Sequence, residues 1–173
     1  MSIIITSRQE LREYETKVVA AAEETSALFS KPPPTALSLF RKLKFDPIGR
    51  HPLENTRLNF IEQLNQTFTY IATFRAVRRL FEMHKDVRGY KLNLGTESGF
   101  DILSDDGGLA VAAEVFAAVS PKNNSKLRRD LKRVSGSGAK HKYVFFFSPG
   151  SKLGRQRELE RDGAEVEVWS VEI

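Results

Sequence analysis

The hydrophobic positions of this chain change their spacing near its midpoint, from helical to strand-like. Ser7-Arg8-Gln9-Glu10 has the form of a capping box, with Ser7 at the N-cap and Glu10 reaching back to it. Leu11 to about Phe29 is rich in Ala and Glu and lacks Gly and Pro, which predicts a first helix. Lys31-Pro32-Pro33-Pro34-Thr35 stops it, because prolines lack the amide donor and push their neighbours into extended conformations. A short helix over 36–43 precedes an irregular stretch, 45–54, with Pro47, Gly49 and Pro52, which reads as a surface loop. Asn55 or Thr56 caps the longest predicted helix, 57–85. There Leu58, Ile61, Leu64, Phe68, Ile71, Val77, Leu80 and Phe81 recur at three- and four-residue steps as one core-facing stripe. Glu62 lies about 40° around the helix from Leu58 and Gln66 continues its row, which puts a carboxylate on the margin of that stripe.

Beyond Gly89 the pattern alternates. Tyr90–Leu94 and Phe100–Leu103 read as strands, Gly95 and Gly99 bracket a turn, and Ser104-Asp105-Asp106-Gly107-Gly108 signals a hairpin. Leu109–Val119 is an apolar run interrupted only by Glu114, as in a central strand covered on both faces. A helix over 126–134, a buried strand over 142–147, a helical stretch over 155–162 capped by Gly163, and a strand at 166–171 follow. Strands joined through the 126–134 helix should run parallel. The predicted class is α/β, a mixed central sheet flanked by helices. One domain is expected over 1–173, with a helical extension at 1–54 and an α/β core at 55–173.

Composition narrows the chemistry. The 173 residues include no Cys, so a disulfide framework, a thiol nucleophile and a thiolate metal site are all excluded. A metal would have to sit on oxygen or imidazole. The apolar run at Ile3-Ile4-Ile5 is too short for a signal peptide, and no stretch is long enough for a bilayer, so a cytoplasmic protein with no membrane partner is expected. The excess of 27 Lys and Arg over 22 Asp and Glu permits a polyanionic partner.

The hairpin carries the most specific signal. With Asp106-Gly107 as the bend, paired positions add to 213, so Asp101 faces Ala112 and Glu114 projects from the same face as Asp101, diagonally across. Two carboxylates converging in an apolar sheet need a counter-ion to remain ionised, and Mg2+, or Mn2+ in its place, prefers such oxygen ligands.

Strand with Asp101, hairpin, strand with Glu114, helix and strand, all after a long helix, resembles the PD-(D/E)XK nuclease superfamily over roughly residues 57–170. The resemblance implies a restriction-endonuclease-like core and a Mg2+-dependent endonuclease acting on DNA. Asp101 and Glu114 would be metal ligands and Glu62 a third carboxylate from the preceding helix. The pattern departs from the family at Phe116, which stands where the motif lysine belongs. Either that function has moved to Lys126 on the next helix, with Asn124 as a polar helper, or the chain is an inactive nuclease-fold module that binds DNA or protein.

Positive charge is concentrated at Lys122, Lys126, Arg128, Arg129, Lys132, Arg133, Lys140 and Lys142, against Asp130 alone. With Leu127, Leu131 and Val134 as the buried row, Arg128, Arg129, Lys132 and Arg133 face outward as phosphate contacts, joined by Lys122 and Asn124. Duplex DNA is the expected partner, in preference to RNA, and cutting both strands suits a homodimer. Arg75, Arg78, Arg79 and Lys85 form a second basic cluster, Glu97 is a secondary metal candidate, and His51, His84 and His141 read as surface or loop residues.

Overall fold

The computed structural model describes residues 1–30, 35–105, 107, 109–122, 125–160 and 165–173. Among them are nine strands: β1 (Ser2–Ile5), β2 (Gly49–Arg50), β3 (Arg57–Leu58), β4 (Tyr90–Asn93), β5 (Ile102–Ser104), β6 (Val111–Ala117), β7 (His141–Phe147), β8 (Gly154–Arg155) and β9 (Val166–Ser170). Four α-helices accompany them: α1 (Arg8–Ser26), α2 (Ala36–Phe45), α3 (Phe60–Met83) and α4 (Lys126–Ser135). The chain divides into two compact units, residues 1–11 with 72–173, and residues 12–71.

The first unit is built on a mixed seven-stranded sheet in the order β1-β4-β5-β6-β7-β9-β8. The expected α/β class with a mixed sheet holds, and β6 and β7, joined through α4, are parallel. One sheet face is covered by α4, where Phe116, Val144, Phe146, Val166 and Val168 pack with Leu127, Leu131 and Val134. The other meets the C-terminal half of α3, with Phe81 edge-on to Tyr90 and Arg79 over Trp169. Alternation along β6 and β7 assigns these faces, so Glu114 shares the α4 side with Phe116.

In the second unit, Gln63 organises the packing. Its Nε2 donates to Ala21 O (2.9 Å), and its Oε1 accepts from Thr25 Oγ1 (2.8 Å) and Arg50 N (2.9 Å). Ile61, Leu64 and Phe68, expected in the core, are exposed, while Gln63 and Tyr70 are buried. The polar network of Gln63 claims the inward face of this half of α3, and the expected stripe is buried only farther along, at Ile71, Val77 and Leu80.

Several boundaries also differ from expectation. Ser7 caps α1 as expected, its Oγ accepting from Glu10 N (3.2 Å), and the Glu10 carboxylate reaches back to the Ser7 backbone and beyond it to Thr6 N (2.7 Å), while α1 begins at Arg8 and not at Leu11. Neither Asn55 nor Thr56 caps α3. Asn59 Oδ1 accepts from Glu62 N (2.9 Å), because Arg57 and Leu58 are taken into a two-stranded pairing with β2. The described part of 155–162 is a strand and a 3-10 turn, since Arg155 pairs with Trp169 and Gln156 N donates to Val168 O (2.8 Å). β1 and β8 were not expected; they are short edge strands that show too little alternation to read. His51 and His84 lie in loops, as expected, but are buried there: His51 accepts from the amides of Leu53 and Glu54, and His84 bonds the Tyr143 hydroxyl. The Pro32-Pro33-Pro34 stop, Asp106, Asn124 and the Gly163 cap lie outside the described residues. Among the described residues no helix is long and apolar enough to cross a membrane.

Candidate active site

The β5–β6 hairpin is longer than a tight bend. Ile102 faces Ala113 and Leu103 faces Ala112, so paired positions add to 215, not 213. Gly107 and Leu109 in the connection take left-handed backbone angles (φ 71° and 47°). A shift of two residues preserves the face, because side chains alternate with period two. Continued by one step, the register sets Asp101 directly opposite Glu114 on the α4 side.

Asp101 stands where the β5 ladder ends. Its Oδ2 accepts the Val115 amide (2.7 Å), so a carboxylate replaces a strand carbonyl as the acceptor. Its main-chain oxygen accepts from Asn93 N (3.0 Å), and Asn93 Nδ2 donates to Phe100 O (2.8 Å), which ties the loop before β5 to β4. Gly99 in this loop has φ +108°, and a Cβ there would meet Asn93 Nδ2 at 2.8 Å.

Glu114 is 1% exposed at the centre of β6. The cation that meets it is Arg133 of α4, with Nη1 3.2 Å from Oε1. The same guanidinium donates through Nη2 to Gly99 O and lies over the Phe100 ring. Its geometry leaves Glu114 Oε1 without a hydrogen bond. Burial and the neighbouring Asp101 push the Glu114 carboxyl up to about 8, against the pull of Arg133. Burial also raises Asp101, opposed by the Val115 amide, Lys126 and side-chain hydrogen bonding with Glu114. Both carboxyls of the pair are therefore held above the ordinary range, with burial the largest cause for each.

Lys126 opens α4 and acts electrostatically on both Asp101 and Glu114, while its Nζ bonds Asp130 Oδ1 (2.6 Å). Phe116, two residues after Glu114, is buried and stacked on Phe146 (centroids 5.7 Å apart), so the position serves packing. Lys122, Arg128, Arg129, Lys132 and Arg133 are exposed as expected. Arg133 differs from the others in being turned back to Glu114. Glu62 belongs to the second unit, exposed in the first turn of α3. Glu97 is engaged by the α-amino group of Met1 (3.0 Å).

The sequence pattern marks Asp130 only as the lone acid in a basic stretch. It is 3% exposed, burial raises its carboxyl against the hold of Lys126, and its Oδ2 has no hydrogen-bond donor. The available signal was its spacing: Asp130 follows Leu127 by three residues and precedes Val134 by four, on the inward row of α4.

Among the described residues, no three His, Asp or Glu side chains stand ready as a metal cage. Asp101 and Glu114 nevertheless suit a hard divalent cation in donor type, and the buried Glu114 Oε1, ion-paired with Arg133, has no aligned hydrogen bond. No protein-family model matches the chain, nor does any curated protein or solved structure.

Proposed function

We propose that this chain is a Mg2+-dependent endonuclease that hydrolyses DNA phosphodiester bonds, built on a restriction-endonuclease-like core. The observation that carries this reading is the Asp101–Glu114 pair, facing each other beneath α4, with one buried carboxylate oxygen lacking a hydrogen bond and an exposed basic helix face adjacent. Mg2+, or Mn2+ in its place, held by Asp101 and Glu114, would supply an activated water and charge neutralisation at the scissile phosphate. Lys126 takes the role of the missing motif lysine, its ammonium orienting the water and meeting the phosphate. Arg128, Arg129 and Lys132 hold the backbone of the duplex, a mode of binding that is salt-sensitive and indifferent to sequence. Lys122 and Arg128, with Ser125 and Glu158, line a concavity of about 390 Å3 at the start of α4, where the strand can enter. Paired chains suit cleavage of both strands, and a cytoplasmic location gives access to the substrate.

Plasmid DNA incubated with the full chain and Mg2+ or Mn2+ tests the proposal. Nicking or linearisation that disappears in Asp101→Asn and Glu114→Gln is expected. Intact plasmid under every metal, with both variants indistinguishable from the parent, would overturn it.

The burial of Phe116 favours a second reading, a nuclease-fold module that binds DNA without cutting it. That module would shift DNA in a gel with the same salt dependence in EDTA as in Mg2+.

A further inference from the structure

Asp130 is the acidic residue hardest to account for by packing alone. α4 presents Arg128, Arg129, Lys132 and Arg133 outward, and its inward row is Leu127, Leu131 and Val134 with Asp130 among them. A carboxylate there is costly unless it is fully paired, and an Asn or Ala would fill the position at less cost. Asp130 is paired on one side only. Lys126 holds Oδ1, and Oδ2 meets no donor.

Its charge is felt at the candidate site: Asp130 acts on Glu114, and Asp101 acts on Asp130. Three carboxylates thus share Lys126 and Arg133 under one helix, with Arg129 also acting on Asp130. The two orphaned oxygens, Glu114 Oε1 and Asp130 Oδ2, belong to side chains that are 1% and 4% exposed. The cations are the movable partners, with side chains 37% exposed at Lys126 and 48% at Arg133.

We infer that Asp130 is the third carboxylate of the divalent-cation site, supplied by α4 in place of Glu62, and that Arg133 holds Glu114 until the ion displaces it. The inference rests on the nuclease reading, because it adds a ligand to the same pair. It accounts for the lack of a ready cage: Lys126 and Arg133 now occupy the carboxylates, and a hard cation with oxygen ligands would replace their contacts. Released, both basic groups can turn to phosphate, so binding of the ion and of the substrate would reinforce each other.

The test is a titration of Mn2+ and of Mg2+ into the full chain, followed by calorimetry and by thermal melting. The parent should bind and be stabilised. Asp130→Asn should weaken the ion at least about tenfold while melting no lower than the parent in EDTA, having lost a repelling charge. Arg133→Gln should bind it several-fold more tightly. An Asp130→Asn variant that binds like the parent while Asp101→Asn does not would overturn the inference, and loss of the ion in Glu62→Gln instead would return the third ligand to Glu62. If Asp130→Asn fails to fold, Arg133→Gln decides: affinity equal to or below that of the parent overturns the exchange. A parent that ignores both metals, as Asp101→Asn does, removes the nuclease reading and the inference together.

Discussion

The Asp101 carboxylate accepts the Val115 amide at 2.7 Å, across the point where β5 ends and β6 continues. The side chain therefore has a structural duty beside any chemical one. Asp101→Ala would leave a buried strand amide without an acceptor, at a cost of about 1–3 kcal/mol. Asp101→Asn retains an acceptor oxygen and should lose less than half as much. Urea denaturation of the two variants measures the difference. Equal losses would mean that the hydrogen bond contributes nothing.

Glu114 makes stability depend on pH. Its carboxyl is raised from the usual 4.5 to about 8, so the native state keeps a proton that the unfolded chain releases between those values. That contribution is complete below pH 4.5 and is lost as pH rises through 8. Burial lowers His84, so its share has the opposite sign, present above about 6.5 and lost as pH falls. Melting temperature should therefore decline on both flanks. Glu114→Gln should reduce the alkaline decline and leave the acid limb unchanged. An unchanged alkaline limb in that variant would refute the assignment.

A lysine at position 116 should not be tolerated. Phe116 is buried among Leu127, Leu131, Val134, Val144 and Phe146. Phe116→Lys forfeits that packing and places an ammonium under α4, for a loss of about 3–5 kcal/mol. Thermal melting reads this directly. A variant as stable as the parent that cleaves plasmid faster would show the position to be catalytic after all.

Gln63 is the corresponding point in the 12–71 unit. Gln63→Leu strands the Arg50 amide and removes a second partner from the Ala21 carbonyl and the Thr25 hydroxyl, which keep their bond to each other (3.1 Å). A loss of about 2–4 kcal/mol is expected. Hydrogen exchange should show faster opening at the Arg50 amide, and protection equal to that of the parent there would contradict it.

Local pattern was enough for much of this protein. Leu127, Leu131 and Val134 declared the inward row of α4, and the apolar runs around Val111–Ala117 and His141–Phe147 declared two central strands. Period two carried Asp101 and Glu114 to one face even though the hairpin is longer than its Asp-Gly signal implied. The helical period failed at Ile61, Leu64 and Phe68, because burial there follows the three hydrogen bonds of Gln63 and not hydrophobicity.

By itself, then, the order of residues determined the α/β class, the parallel β6–β7 connection and the shared face of two carboxylates, all consequences of spacing along a single element. Tertiary structure decided what meets those carboxylates. Arg133 at Glu114, Lys126 at Asp130 and the Val115 amide at Asp101 follow from how α4 and β6 settle on the sheet. Such partners lie many residues apart, and their electrostatics depend on which groups are withdrawn from water, a property of the packed molecule that no local period encodes.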